Sequence, residues 1–242
     1  MVHHYAYLQG IFNIIFGFCS TLFFIKVLYS SIKHNNRALK YLSFAAAALA
    51  LDYFIEGTPL VVTPNDEFAI TFAITGLGPI LITLTLCFMG IVVVITRSKH
   101  LSIYIGFLPL LVGIFSAVLN LIHNQGMVGF TAAGFIDLKF NPLAEFLTFF
   151  TSIIVVILFS DAFASQLRMT RLNPRILFIA VGAVMVAFSS PITYSARNAI
   201  LFYLLNGLTL IGLIFLIIGT YLKNKEQHLL KKKELSTIPN NP

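Results

Sequence analysis

Charge is scarce in this chain. Only 10% of its 242 residues are charged, 58% are hydrophobic and the mean hydropathy is +0.90, whereas an ordinary soluble domain carries roughly 25% charged residues. A soluble domain needs more charge to cover its surface, and a disordered chain needs fewer apolar residues. Both classes are excluded, and the composition indicates an integral membrane protein.

Tryptophan is absent and cysteine is nearly so. Tyrosine must therefore supply the aromatic anchors of the membrane surface, and several of the 9 tyrosines lie near the ends of apolar runs. Cys19 and Cys87 fall inside apolar runs, where a thiol is usually a small packing residue. Because there is no CxxC pair and no disulfide framework, cysteine points to no redox chemistry and to no compartment.

Long apolar runs predict seven transmembrane helices. Each run is close to the ~20 residues that a spanning helix needs, and none alternates as a barrel strand does. The runs cover 5–30, 38–59, 68–96, 101–122, 143–166, 175–195 and 198–222. The sequence therefore predicts an all-α, multi-pass, seven-helix bundle at residues 1–222, arranged as three helical hairpins plus a seventh helix. Residues 223–242 are predicted to form a basic tail.

Basic residues are concentrated in alternate connections, while the intervening connections carry Asp66, Glu67 and Asp137. The basic connections contain Lys33, Arg37, Lys40, Arg97, Lys99, Arg168, Arg171 and Arg175. Since cytoplasmic loops are enriched in lysine and arginine, we expect the N-terminus outside and the tail in the cytoplasm, in a plasma or inner membrane. Membrane lipid is the expected partner, with anionic headgroups near the tail. The dispersed basic residues favour no nucleic-acid partner.

Two carboxylates lie inside the second predicted span. Asp52 and Glu56 are four residues apart, so they share one helix face about 6 Å apart along the axis. Such residues are costly in a membrane and mark functional sites. No lysine or arginine lies in the outer half of any span, which leaves Arg197 and Lys139 as candidate counter-charges. Without one of these, we expect one carboxyl to be protonated, as in a pH-sensitive switch or a proton-coupled carrier.

Other polar side chains are predicted to lie at the same depth in the membrane as Asp52 and Glu56. Because few such groups lie in the inner half, the pattern predicts a polar cavity that opens toward the outer face. The predicted ligand-binding or proton site comprises Asn13, Asp52, Tyr53, Glu56, Glu145 and Asn206. For Asn13, Asn120 and Asn206 taken singly, hydrogen bonding between helices, worth ~0.6 kcal/mol each, is the simpler role.

Two irregular segments are predicted. Gly76, Gly78 and Pro79 interrupt the third span, because proline cannot donate a helical hydrogen bond. In the connection 123–142, hydrophobic alternation places Ile136 on one face and Phe135 on the other. The alternation predicts a short extracellular hairpin, and an irregular glycine-rich loop is the alternative.

No sequence motif identifies a reaction. No lysine lies between Ala199 and Leu222 to bind retinal, and the signatures of G-protein-coupled receptors are missing. The histidines lie at span ends or in the tails, so we predict no catalytic residue, no metal site and no cofactor. The first hypothesis is a non-enzymatic protein that binds a small or lipophilic ligand, or a membrane partner, in the outer cavity. The alternatives are a proton- or ion-coupled secondary transporter that uses Asp52 and Glu56, and an intramembrane enzyme acting on a lipid.

Overall fold

The computed structural model describes residues 4–97, 103–123, 129–137, 140–169, 174–194 and 196–222. These residues are almost entirely helical, and the predicted basic tail at 223–242 lies outside them. The helices are α1 (His4–His34), α2 (Arg37–Val62), α3 (Glu67–Thr71), α4 (Gly78–Arg97), α5 (Leu108–His123), α6 (Pro142–Met169), α7 (Pro174–Thr193) and α8 (Ala199–Tyr221). A π-helical segment, Phe72–Leu77, joins α3 to α4, and a 3-10 turn, Ile103–Phe107, precedes α5.

Six helical segments among the described residues are long and apolar enough to cross a membrane. They are His4–His34, Arg37–Val62, Glu67–Thr96, Tyr104–His123, Pro142–Asp161 and Ala199–Tyr221. The apolar part of α7 is shorter, at Leu177–Ser190. The chain is therefore a multi-pass membrane protein, while the seventh crossing and the orientation stay predictions.

Small residues allow the long helices to approach closely. A Cβ atom added to Gly57 of α2 would lie 2.9 Å from the Gly10 carbonyl oxygen of α1. One added to Gly182 of α7 would lie 2.6 Å from the Gly212 carbonyl oxygen of α8. Packing of this kind replaces the hydrophobic driving force that helices lack in lipid. Two tight antiparallel pairs, α1 with α2 and α7 with α8, result.

A short β-hairpin caps one end of the bundle. Its strands, β1 (Gly129–Phe130) and β2 (Ile136–Asp137), pair antiparallel, which confirms the predicted hairpin. The turn needs a glycine because Gly134 has φ 84°. The Phe135 ring stacks on Tyr5 of α1 with 4.1 Å between centroids. We call the end of the bundle that the hairpin covers the hairpin end.

The predicted alternation places Phe135 and Ile136 on opposite faces of the hairpin, and the structure buries both side chains. Phe135 immediately precedes β2 and Ile136 begins it, and consecutive residues of an extended segment point to opposite sides. Ile136 packs against Leu60 and Ile70 of the bundle, whereas Phe135 packs against Phe202 of α8. Both side chains are buried because helical residues pack against the hairpin on each side. Leu138 and Lys139 lie outside the described residues.

The predicted interruption of the third span is confirmed. The backbone N–H of Gly78 bonds to the Ala73 carbonyl, five residues back, at the end of the π-helical segment. Pro79 follows and has no N–H to offer the helix. Segments of π-helix within α-helices are frequent at functional sites, and this one lies against α2 at the level of Glu56.

Candidate functional site

A cavity of about 530 Å³ lies in the half of the bundle nearest the hairpin end. It is enclosed by α2, the junction of the π-helical segment with α4, the end of α5, and α6 and α7. Its polar lining residues are Asp52, Glu56, Asn120, Glu145, Thr148, Ser190 and Tyr194. Its apolar lining residues include Ile74, Ile82, Phe140, Phe146, Phe149 and Ile192. Among the described lining residues there are three carboxylates and no lysine, arginine or histidine.

The two carboxylates of α2 differ in their surroundings. The Tyr194 hydroxyl donates to Glu56 Oε2 at 2.8 Å, and Asn13 Nδ2 donates to the same atom at 3.5 Å. Asp52, only 3% exposed, has an Oδ1 atom with no hydrogen-bond partner among the described residues. Glu56 is therefore held by protein donors, while Asp52 can accept a further partner.

Gly78 makes room for the carboxyl group of Glu56. A Cβ atom added at Gly78 would lie 2.6 Å from Glu56 Oε1, well inside van der Waals contact. The glycine therefore lets the start of α4 pass directly over this carboxyl group. The break in the third span and the carboxylates of the second span belong to one site.

Behind Glu56, a hydrogen-bonded network crosses the bundle. Asn206 of α8 donates to Gln9 Oε1 of α1 at 3.1 Å, and Gln9 donates to Asn13 Oδ1 at 2.8 Å. Asn13 donates to the Tyr194 hydroxyl at 2.8 Å, which reaches Glu56. The network links α1, α2, α8 and the residue that follows α7.

The predicted site residues fall into three positions. Asp52, Glu56 and Glu145 line the cavity, with Glu145 exposed in the first turn of α6. Asn13 and Asn206 belong to the network behind Glu56. Tyr53 is not among the residues that line the cavity: it is 2% exposed, and its ring packs 5.4 Å from that of Phe16.

Sequence reasoning missed Tyr194. Its place at the end of an apolar run suggested an aromatic anchor at the membrane surface, but its hydroxyl turns inward to Glu56. The sequence shows of Gln9 only that it lies four residues before Asn13 on the same helix. That spacing is a local signal for hydrogen bonding along α1, whereas nothing local signals the contact of Tyr194 with α2.

Arg197, one of the two candidate counter-charges, does not pair with Asp52 or Glu56. Its guanidinium donates to Asp137 Oδ1 at 3.0 Å and to the Ile136 carbonyl at 2.9 Å. It therefore fastens the hairpin to the connection between α7 and α8. The other candidate, Lys139, lies outside the described residues, and within the described part of the chain no cation pairs with Asp52 or Glu56.

The cavity reaches the surface of the bundle along α6. Phe146 and Phe149 line it and are also 60% and 41% exposed. Farther from the hairpin end, Phe159 of α6 and Ile179 of α7 are buried in the main core. The two helices thus contribute to a common core at one end and border an opening at the other, where an apolar rim would face acyl chains.

Asn120 forms hydrogen bonds between helical segments, as predicted. Its Nδ2 donates to the Thr75 carbonyl of the π-helical segment at 3.5 Å, and its Oδ1 accepts from the Asn141 N–H at 2.9 Å. It ties the interrupted span to the start of α6. Ser189 and Thr209 join α7 to α8 in the same manner, with 2.7 Å between their hydroxyl oxygens.

Within the described residues, no three histidine, cysteine, aspartate or glutamate side chains form a group that could hold a metal ion. No protein family, curated protein or solved structure matches this chain.

Proposed function

We propose that this membrane protein is non-enzymatic and binds a small or lipophilic ligand in the cavity between α2, α4, α6 and α7. One observation carries the proposal: a cavity of about 530 Å³ combines apolar walls with a buried, unpaired Asp52 carboxyl oxygen. Ligand sites have typical volumes of about 300–1,000 Å³, with few polar groups that fix orientation. A receptor-like protein or an accessory subunit fits this description.

Native mass spectrometry of the protein, released from its membrane with minimal delipidation, tests the proposal. We expect a bound small molecule on the wild type and its loss in Ser190→Phe, since Ser190 lines the cavity. Val184→Phe is the matched control, because Val184 lies on the same helix with its side chain 39% exposed. Wild type without a bound molecule, or equal occupancy in both variants, would contradict the proposal.

A membrane partner is the other occupant of this cavity that the sequence suggests. The opening beside Phe146 and Phe149 offers exposed aromatic side chains to a neighbouring helix. Copurification of one protein at fixed stoichiometry, abolished by Ser190→Phe and retained in Val184→Phe, would favour the accessory-subunit form. A small molecule lost in the same variant would favour the receptor form.

A second candidate function, proton- or ion-coupled transport, is favoured by the position of the carboxylates. Asp52 and Glu56 line the cavity beside the interrupted third span, and Gly78 of that span touches Glu56. Broken helices next to ionisable groups form the coupling sites of many secondary transporters. Proton-coupled uptake into proteoliposomes that survives Asp52→Asn combined with Glu56→Gln would exclude this candidate.

The same variants address the intramembrane-enzyme alternative. If Asp52 and Glu56 act as general acid and base, purified protein should turn over a lipid, and Asp52→Asn should abolish the turnover. Thin-layer chromatography of lipid extracts after incubation measures this directly. Turnover that depends on Asp52 would replace the binding proposal with this alternative.

A further inference from the structure

We propose that the ligand is a lipophilic amine, whose protonated nitrogen pairs with Asp52 and whose apolar body lies against Phe146 and Phe149. The inference rests on the proposed function and adds the chemical class of the ligand. Three features of the cavity support this inference: the sign of its charges, the lack of a hydrogen-bond partner at Asp52 Oδ1, and the apolar character of the remaining lining.

The charges that line the cavity have one sign. Asp52, Glu56 and Glu145 are acidic, and the described lining holds no basic side chain. The nearby Arg197 guanidinium already donates its hydrogen bonds to Asp137 and to the backbone carbonyls of Ile136 and Tyr194. A carboxylate or phosphate ligand would therefore meet repulsion without a partner, whereas a cation would supply the missing counter-charge.

Asp52 is the carboxylate that needs such a partner. Glu56 already accepts hydrogen bonds from Tyr194 and Asn13, and Glu145 is exposed. Asp52 is buried and lines the cavity, and its Oδ1 atom is unpartnered among the described residues. An ammonium group has donors but no acceptor, so it complements this carboxyl group and competes for no protein donor.

The rest of the cavity fits an organic cation better than a metal ion. A cavity of about 530 Å³ far exceeds the volume of one ion, and most of its remaining lining is aliphatic or aromatic. The rings of Phe146 and Phe149 lie at the opening, where they can pack against a hydrocarbon body and attract a passing cation through their π faces. A ligand that partitions into the bilayer would enter by this route.

Three probes of matched shape test the inference: 4-phenylbutylamine, 4-phenylbutanol and 4-phenylbutyrate. Their binding to the full chain in lipid nanodiscs at pH 7 is measured by titration calorimetry, with empty nanodiscs subtracted. The amine is protonated at this pH, because alkyl ammonium groups such as that of lysine have a pKa of about 10.4. We expect the amine to bind about tenfold more tightly than the alcohol, because it bonds to a buried carboxylate. The acid should bind most weakly.

Variants separate this inference from the proposed function. Asp52→Asn should reduce binding of the amine to the level of the alcohol, while Asp52→Glu retains part of the preference. Asp66→Asn, which keeps an N-cap acceptor at an exposed position, should bind all three probes as the wild type does. Equal affinity for amine and alcohol in the wild type would overturn the amine inference and leave the cavity proposal standing. If no probe binds and native mass spectrometry also finds no ligand, the proposed function itself fails.

Discussion

Tyr194 joins three helices through one hydroxyl group. The hydroxyl donates to Glu56 of α2 and accepts from Asn13 of α1, each at 2.8 Å, and it lies one residue beyond the end of α7. Burial of a carboxyl group costs free energy, and hydrogen bonds from such donors offset that cost. The position of α7 at the hairpin end therefore depends on this contact.

Replacement of Tyr194 by phenylalanine should destabilise the protein by about 1–3 kcal/mol, because Glu56 and Asn13 each lose a buried partner. Tyr203→Phe is the matched control, since Tyr203 is 49% exposed and makes aromatic contacts through its ring. Thermal unfolding in detergent measures the difference. Equal melting temperatures for the two variants would mean that the Tyr194 hydroxyl contributes nothing to the stability of the protein.

The contact between Gln9 and Asn206 can be measured by a double-mutant cycle. Across 3.1 Å, the amide of Asn206 in α8 donates to Gln9 in α1, and interhelical hydrogen bonds of this kind average ~0.6 kcal/mol. We expect Gln9→Ala and Asn206→Ala to couple by about that amount. Gln9→Ala with Thr209→Ala should be additive, because Thr209 bonds to Ser189 instead. Additivity in both cycles would contradict the observed contact.

For single residues, the sequence identified the unusual charged side chains better than it identified the side chains that bond to them. Asp52 and Glu56 stand out because a charge inside an apolar run is rare, and both line the cavity. Tyr194 does not stand out, because an aromatic residue at the end of a span is ordinary. The partner of a side chain on another helix depends on the rotation of both helices, which a single sequence does not encode locally.

Among the elements, α7 and α8 are held together by glycines that face each other. A Cβ atom on Gly212 would lie 2.9 Å from the Gly182 carbonyl oxygen and 3.0 Å from Met185 Cβ, whereas one on Gly207 would meet nothing within 4 Å. Gly207 and Gly212 thus differ in surroundings although both lie in α8.

Gly212→Ala should lower the free energy of unfolding by about 1–3 kcal/mol, as expected for overpacking. Gly207→Ala should be neutral or stabilise by up to about 1 kcal/mol, the gain in helix propensity. Thermal unfolding of both variants in the same detergent provides the comparison. A Gly212→Ala protein as stable as Gly207→Ala would show that α7 and α8 do not approach at this point.

Element bounds follow hydropathy closely, whereas element contacts do not. The second span was predicted at 38–59 and is helical over Arg37–Val62, since its length is set by local apolar composition. The break near Gly76 was also predicted, because glycine and proline act locally. By contrast, the closeness of α7 and α8 arises when two distant glycines meet, and neither Gly182 nor Gly212 reveals the other.

For the whole molecule, the number of crossings decides on which side each connection lies. Six segments of the described chain are long and apolar enough to cross, and we propose that α7 is the seventh because it is a 20-residue helix, about 30 Å long at 1.5 Å per residue. With the N-terminus outside, as the basic connections predict, seven crossings would place the hairpin and the start of α8 outside, and the turn between α1 and α2 inside.

Single cysteines in a Cys19→Ala, Cys87→Ala background test this topology. On intact cells, an impermeant maleimide should label Ala132→Cys in the hairpin and Ile200→Cys at the start of α8, both exposed positions. Lys33→Cys should react only after permeabilisation, because basic connections stay in the cytoplasm. If Ile200→Cys also reacts only after permeabilisation, α7 does not cross. If Lys33→Cys alone reacts on intact cells, the orientation is reversed.

A structure determined in lipid nanodiscs tests most directly whether a ligand occupies the cavity beside Asp52. We predict non-protein density bounded by Asp52, Glu56 and Phe149, with the outer half of α6 held apart from Ser190. A cavity closed by direct packing of residues 142–149 against residues 190–194, with no density and no space between them, would contradict the claim.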